Sequence, residues 1–200
     1  LFKKKKSKQE EYIVLSQANP KSAIAEAYRS LRTNLGFAGV DHPCRSIMIT
    51  SCSPQDGKSV TMSNLAVVMA QAGHKVILVD CDLRKPVQHK HFHVDNHCGV
   101  TNCLLGQVTV EETAHTGLVE NLTLLTSGPI PPNPAEILNS AKTRAFWPML
   151  LEKYEYVLID APPVLAVTDA SILATQVDGA ILVVNSGVTR IDLAREARDQ

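Results

Sequence analysis

The sequence carries no net charge: 20 lysines and arginines balance 20 aspartates and glutamates. That balance gives no general electrostatic reason to expect a nucleic-acid partner. Long apolar runs are also missing. The longest, such as "AILVV" from Ala180 to Val184, falls far short of the roughly 20 residues that span a bilayer. No secretory signal pattern is present. The five cysteines, Cys44, Cys52, Cys81, Cys98 and Cys103, include no Cys-x-x-Cys pair. An odd, scattered set excludes a disulfide framework and suits a reducing cytosol. Internal repeats and low-complexity segments are absent. What is there, 44% hydrophobic and 20% charged residues over 200 positions, is the profile of one soluble globular domain with a sizeable core.

The charge is unevenly placed. "LFKKKKSK" at the start reads as a solvated arm or as a membrane-surface anchor, at roughly 1 kcal/mol per basic residue near anionic lipid. Leu1 stands where a methionine is expected, so the opening segment reads as processed or fused. We take residues 1–20 as a polar arm with a short apolar patch, "YIVL" (Tyr12 to Leu15), and 21–200 as the domain.

From Pro20 the pattern alternates. "KSAIAEAYRSLRTNLGFA" predicts a helix with Ile24, Ala27, Leu31 and Leu35 on one stripe. "SIMITS" predicts a strand, then a loop and a helix ending near Ala72, with Gly73 as its stop. Further strands are predicted at "KVILVDCD", "NLTLLTSG", "YEYVLIDAPP" and "DGAILVVNSG", and helical segments at "GVTNCLLG", "NPAEILNS", "TRAFWPMLLEKY", "TDASILATQ" and "TRIDLAREARDQ". Pro148 is expected to kink or divide the "TRAFWPMLLEKY" helix. Strands that are apolar throughout and separated by helices indicate a mostly parallel sheet covered on both faces, a doubly wound α/β fold. Ligands of such sheets bind beyond the carboxyl ends of the strands.

At one such end stands "SCSPQDGKS", Ser51 to Ser59. Gly57, Lys58 and Ser59 match the end of the phosphate-loop pattern, while Cys52 occupies the place of its first glycine. Gly57 permits close approach of backbone to phosphate. The N–H groups and dipole of the following helix favour an anion there. Nucleotide contacts are therefore expected across Ser53, Pro54, Gln55, Asp56, Gly57, Lys58, Ser59, Val60 and Thr61. In this reading Lys58 meets the β and γ phosphates of ATP and the Ser59 hydroxyl binds Mg2+. Three carboxylates end apolar strands: Asp80 and Asp82 in "ILVDCDLRKP", Asp160 in "VLIDAPP". Asp80 and Asp82, two apart, share a face while the strand lasts, with Cys81 turned away. Singly, each fits a turn or cap. Jointly, beside a Gly-Lys-Ser loop, they point to a cation site, since a carboxylate at a buried strand end needs a cation or donors. The natural assignment puts Asp82 and Asp160 around the metal, directly or through water. Asp80 is then the candidate base for an attacking hydroxyl, a role that contributes roughly 10²–10⁴-fold.

These residues resemble the bacterial tyrosine kinases of capsule and exopolysaccharide synthesis. The resemblance covers nearly the whole chain from Pro20. It rests on "SCSPQDGKS", the second Walker-type motif "ILVDCDLRKP", the Walker B strand "VLIDAPP", "GPIPPNPAEIL" (Gly128 to Leu138) and "EAYRSLR". It implies a P-loop NTPase fold and an ATP- and Mg2+-dependent protein-tyrosine autokinase, with Lys58, Asp80 and Asp82 as its catalytic residues. It also implies a ring-type homo-oligomer assembled through Glu26, Arg29 and Arg32, and a membrane-embedded activator tail as partner at the inner membrane face. Glu26, Arg29 and Arg32 share one helix face at spacings of three, which is equally the pattern of a solvated charged face. The resemblance leads us to expect a further strand and a tyrosine-rich tail beyond Gln200. Of the tyrosines in this sequence, Tyr154 and Tyr156 are expected to pack, and Tyr28 is a weaker acceptor candidate than a tail tyrosine.

Two other readings stand beside this one. ATP-switched binding proteins of the septum-positioning and plasmid-partition type, ATPases that act as binding modules, share the sheet, the loop and the strand-end aspartates. They carry a signature lysine near the start of the loop, where this sequence has Ser53. A kinase-like scaffold that only binds nucleotide is the third reading. "HKHFHVDNHC", His89 to Cys98, invites a zinc reading but lacks a second ligand pair. We take it as a surface loop able to touch a protein substrate.

Overall fold

The computed structural model describes residues 13–38 and 43–200. The basic run at the start and Tyr12 lie outside the described residues.

In chain order the elements are α1 (Leu15–Ala18), α2 (Ala23–Ala38), β1 (Ser46–Ser51), α3 (Lys58–Gln71), β2 (Val76–Asp80), α4 (Gln88–His91), α5 (Val100–Leu105), α6 (Val110–Thr113), β3 (His115–Val119), β4 (Leu122–Leu125), α7 (Pro134–Leu138), α8 (Ala141–Leu151), β5 (Tyr156–Asp160), α9 (Asp169–Ala174), β6 (Gly179–Val183) and α10 (Ile191–Asp199). The six strands form one sheet in the order β3-β4-β2-β5-β1-β6. All neighbours are parallel except β3, which runs antiparallel to β4.

Side-chain alternation explains the two layers. Ile47, Ile49, Val76, Leu78, Leu122, Leu124 and Leu158 pack with α3, while Met48, Ile77, Val79, Leu125, Val157 and Ile159 belong to the opposite layer with α5, α8 and α9. Strands β1, β2, β4 and β5 thus bury both faces, which is why they read as apolar runs. Helix α3 is buried on nearly every side, from Met62 through Ala70. It lies against the sheet and is covered from outside by α1 and α2. A helix apolar all round is the pattern of such a central position.

The predicted doubly wound α/β fold is therefore present, and all five predicted strands form. Five details differ. The stripe on α2 is rotated: Ile24 is 49% exposed and Ala27 is also exposed, whereas Ala25 is fully buried and Tyr28, Leu31 and Leu35 pack on the core. Two stripes fit the same 3.6-residue period, and contact with α3 selects the one that places Arg32 where it donates to the carbonyl oxygen of Val68 at 3.1 Å. Pro148 does not divide α8, which continues through it. The segment 115–119, exposed at Thr116 and Gly117 and half-buried elsewhere, forms the edge strand β3. The histidine-rich stretch is only partly a surface loop: it contains α4, and His91 and Phe92 are buried. Near the start, Val14 and Ser16 are buried, and the Ser16 N–H donates to Asn64 Oδ1 at 2.7 Å. Packing against α3 thus already begins within the stretch read as an arm.

Candidate active site

Strands β1, β2 and β5 are adjacent, so their carboxyl ends open onto one place. Asp80 and Asp160 are register partners across the β2–β5 ladder. In a parallel pair, residues in register point to the same face, and for these two it is the face of Val76, Leu78 and Leu158, against α3. Residues 52–57 connect β1 to α3, with Lys58 and Ser59 opening the helix on that face. The convergence of chain-distant residues is a consequence of register and strand order.

The loop is shaped by its own polar groups. Ser53 N–H donates to Asp56 Oδ2 at 2.9 Å, and Ser51 Oγ donates to the Ser53 carbonyl at 2.8 Å. Gly57 adopts φ +97°, and a Cβ there would meet nothing within 4 Å. Left-handed backbone, rather than lack of space, therefore calls for glycine at this position in the free protein. Helix α3 has no side-chain cap, so its first N–H groups have no partner within the helix and point toward the loop. Pro54, Gln55 and Val60 are exposed, and Asp56 and Thr61 half-buried. Cys52, in place of a glycine, is a core residue of the opposite layer.

Lys58 is buried, and its Nζ lies 2.9 Å from Asp82 Oδ2, 3.2 Å from Asp160 Oδ1 and 3.0 Å from Ser59 Oγ. Burial by itself lowers the affinity of this ammonium for its proton, but Asp160 and Asp82 outweigh it and hold the group charged, well above the usual lysine range. Asp80 is fully buried and accepts N–H groups from Asp82 (3.2 Å), Val87 (3.1 Å) and Gln88 (3.0 Å). Burial first, then the neighbouring Asp160 carboxylate, pushes it up to about 8, against the Gln88 N–H and Lys58, which pull it down.

The structure thus brings Lys58, Ser59, Asp80, Asp82 and Asp160 together, as the sequence predicts. Three oxygens of different origin (Ser59 Oγ, Asp82 Oδ2 and Asp160 Oδ1) surround one ammonium at 2.9–3.2 Å. That donor set fits a hard dication such as Mg2+, which takes one or two carboxylates and completes its shell with phosphate and water. Among the described residues no three His, Cys, Asp or Glu side chains are grouped to hold a metal unaided.

Three further groups escape sequence reasoning. Gln88 is fully buried and donates to Asp160 Oδ2 at 2.8 Å and to the Ser59 carbonyl at 3.1 Å. Arg84 forms a bidentate pair with buried Asp169, both contacts 2.9 Å. Thr189 Oγ1 donates to Asp56 Oδ1 at 3.2 Å, joining the segment after β6 to the phosphate loop. Gln88 and Thr189 lie in polar stretches with no periodic signal. Arg84 stood inside the quoted "DLRKP" without an assigned partner.

Residues 45–189 match the AAA domain family. Tyrosine-protein kinase YwqD of Bacillus subtilis is 46% identical over 186 residues, 93% of this chain and 78% of that protein. The chain belongs to the bacterial tyrosine kinases. The crystal structure of the chimerical protein CapA2B2 matches this kinase with a TM-score of 0.89 at 40% identity, covering 93% of this chain and 82% of the other. A septum site-determining protein, MinD of Pyrococcus horikoshii in complex with Mg-ADP, matches more distantly. Its TM-score is 0.59 at 26% identity, over 70% of this chain and 57% of that one. The switch ATPases thus share the fold, while the closer similarity is to tyrosine kinases. Among the described residues of this kinase, no helix is long and apolar enough to cross a membrane.

Glu26, Arg29 and Arg32 line one shallow groove of about 270 Å³ with Ser30, Thr33 and Asn34. Glu26 pairs with Arg29 at 2.8 Å, and Arg29 also donates to the Pro20 carbonyl. Arg32 is partly committed inward, to Val68. Tyr28 packs against the core, and so do Tyr154 and Tyr156.

Proposed function

We propose that this kinase binds Mg-ATP along Ser53–Thr61 and transfers the γ-phosphoryl group to tyrosines of neighbouring copies, regulating capsule or exopolysaccharide synthesis. The observation that carries the reading is the buried Lys58 ammonium held between Asp82 and Asp160 beside Ser59. Those carboxylates form a cage for positive charge at a helix N-terminus, where a triphosphate has N–H donors facing it. In the transfer, the tyrosine oxygen bonds to the γ-phosphorus, the bond to the bridging oxygen breaks, and ADP leaves. Bound Mg2+ supplies charge neutralisation at the phosphates. Lys58 turns from its carboxylates toward the β and γ phosphates, and Ser59, Asp82 and Asp160 hold the metal. A loose transition state rewards such positioning more than covalent chemistry. Asp80 is retained for accepting the hydroxyl proton, while its three N–H contacts support an additional role in ordering residues 82–88.

The assembly reading is carried by Glu26, Arg29 and Arg32, whose groove offers paired charges to a second copy. A membrane-embedded activator and a place at the inner membrane surface complete the proposal. The septum-positioning alternative keeps the same fold, but its signature lysine is replaced by Ser53.

The test is transfer of labelled γ-phosphate from ATP to tyrosine by the full-length protein. Label on tyrosine, lost in Lys58→Met, is expected. Hydrolysis without phosphoprotein favours the switch ATPase, and label on serine defeats the tyrosine assignment.

A further inference from the structure

Asp160 is fully buried, and its two oxygens have different neighbours. Oδ1 faces the Lys58 ammonium at 3.2 Å, and Oδ2 accepts the Gln88 Nε2–H at 2.8 Å. Gln88 is itself held at every polar atom. Its Nε2 also lies 3.1 Å from the Ser59 carbonyl, its Oε1 is 2.7 Å from Ser63 Oγ, and its backbone N–H donates to Asp80 Oδ2 at 3.0 Å. One buried side chain therefore contacts the start of α3 and the end of β5, and its own backbone contacts the end of β2. The amide orientation follows from chemistry: the NH2 group faces two acceptors, and the oxygen faces a hydroxyl.

We infer that Gln88 is a positioning residue that locks Asp160 in its cation-facing orientation and so sets the strength of metal binding at the nucleotide site. The inference rests on the proposed Mg-nucleotide reading of that site. A carboxylate with no donor on its second oxygen turns to share both oxygens with a nearby cation, and the orphaned buried oxygen is costly. Gln88 prevents this by satisfying Oδ2 without bringing charge. A lysine or arginine in its place would compete with the metal for Asp160, and an acid would repel it. Partners of this kind, one bond removed from a metal, typically change metal affinity 10–100-fold when replaced.

The experiment measures ADP affinity of the full chain by calorimetry, once with Mg2+ and once with EDTA. Wild type should bind more tightly with Mg2+. In Gln88→Leu the Mg2+-dependent gain should fall about 10–100-fold, while affinity in EDTA stays within about 2-fold. In an Asp160→Asn background the same replacement should remove nothing further, because the two residues act as one unit. If Gln88→Leu does not fold, Gln88→Met, unbranched and of equal length, carries the same comparison. An equal loss in both buffers, or no loss in either, overturns the role given to Gln88. A wild-type protein whose ADP affinity ignores Mg2+ overturns the nucleotide-site reading instead.

Discussion

Replacing Lys58 by methionine removes the ammonium that the structure places against Asp82 and Asp160, beside Asp80. At an effective dielectric of about 20, contacts near 3 Å carry about 5 kcal/mol of attraction each. Desolvation of the buried ions offsets much of this. The larger consequence is what remains, buried carboxylates without the ammonium that contacts them, and breaking a buried pair from one side costs about 3–5 kcal/mol. For a chain of this size that is a fall in Tm of roughly 6–20 °C. The pH dependence has a definite sign. Lys58 pulls the Asp80 carboxyl down, so without it Asp80 holds its proton still more tightly than in the intact protein. Between the ordinary aspartate range near pH 4 and about 8, where Asp80 already stands in the intact protein, the folded state binds more protons. The variant therefore regains stability as pH falls. The Lys58 contribution in wild type is fully present below the ordinary lysine range and is lost only above it, so the gap between the two proteins narrows as pH falls to about 8, where Asp80 of the intact protein takes up its own proton, and does not widen below it. Urea denaturation of the ligand-free proteins at pH 5 and pH 8 measures this. A loss under about 1 kcal/mol at pH 8, or a gap that widens on acidification, would refute the charge-cage argument. Phosphoryl transfer should fall at least about 10²-fold in the same variant, the scale of losing one preorganised donor.

Further outcomes follow from other contacts. Arg84→Ala leaves buried Asp169 without its bidentate partner; with 41% of the Arg84 side chain exposed, the cost should be about 1–2 kcal/mol by urea denaturation, less than for a fully buried pair. Gly99→Ala places a Cβ 2.1 Å from the Thr126 carbonyl and 2.4 Å from Gly128 N; the backbone must move, at about 1–3 kcal/mol, and an unchanged denaturation midpoint would contradict the packing. Arg29→Glu is the cleaner probe of assembly, because Arg32 also holds α2 to α3; light scattering should show a smaller oligomer with little change in Tm, and an unchanged mass would remove the groove from the interface.

Much of this protein was legible in one dimension. Val76–Asp80 and Tyr156–Asp160 announce themselves as buried strands because both of their faces are covered, and each ends in a carboxylate where the apolar run stops. Gly57-Lys58-Ser59 between a strand and a helix is legible as the end of a phosphate-loop pattern, a weak signal alone that the strand-end carboxylates strengthen. Local pattern decided these features. It did not decide which strands are neighbours. The order β2-β5-β1, and the register that sets Asp80 opposite Asp160, arise from helices packing across the sheet. Contact with α3 chose Ala25 and Tyr28 over Ile24 and Ala27 as the buried stripe of α2, and pairing with β4 made a strand of β3, which lacks a continuous buried face. Gln88 is the clearest case. In the sequence it is one polar residue in a loop. It becomes a donor to Asp160 only when the ends of β2 and β5 and the start of α3 enclose it and fix each of its polar atoms.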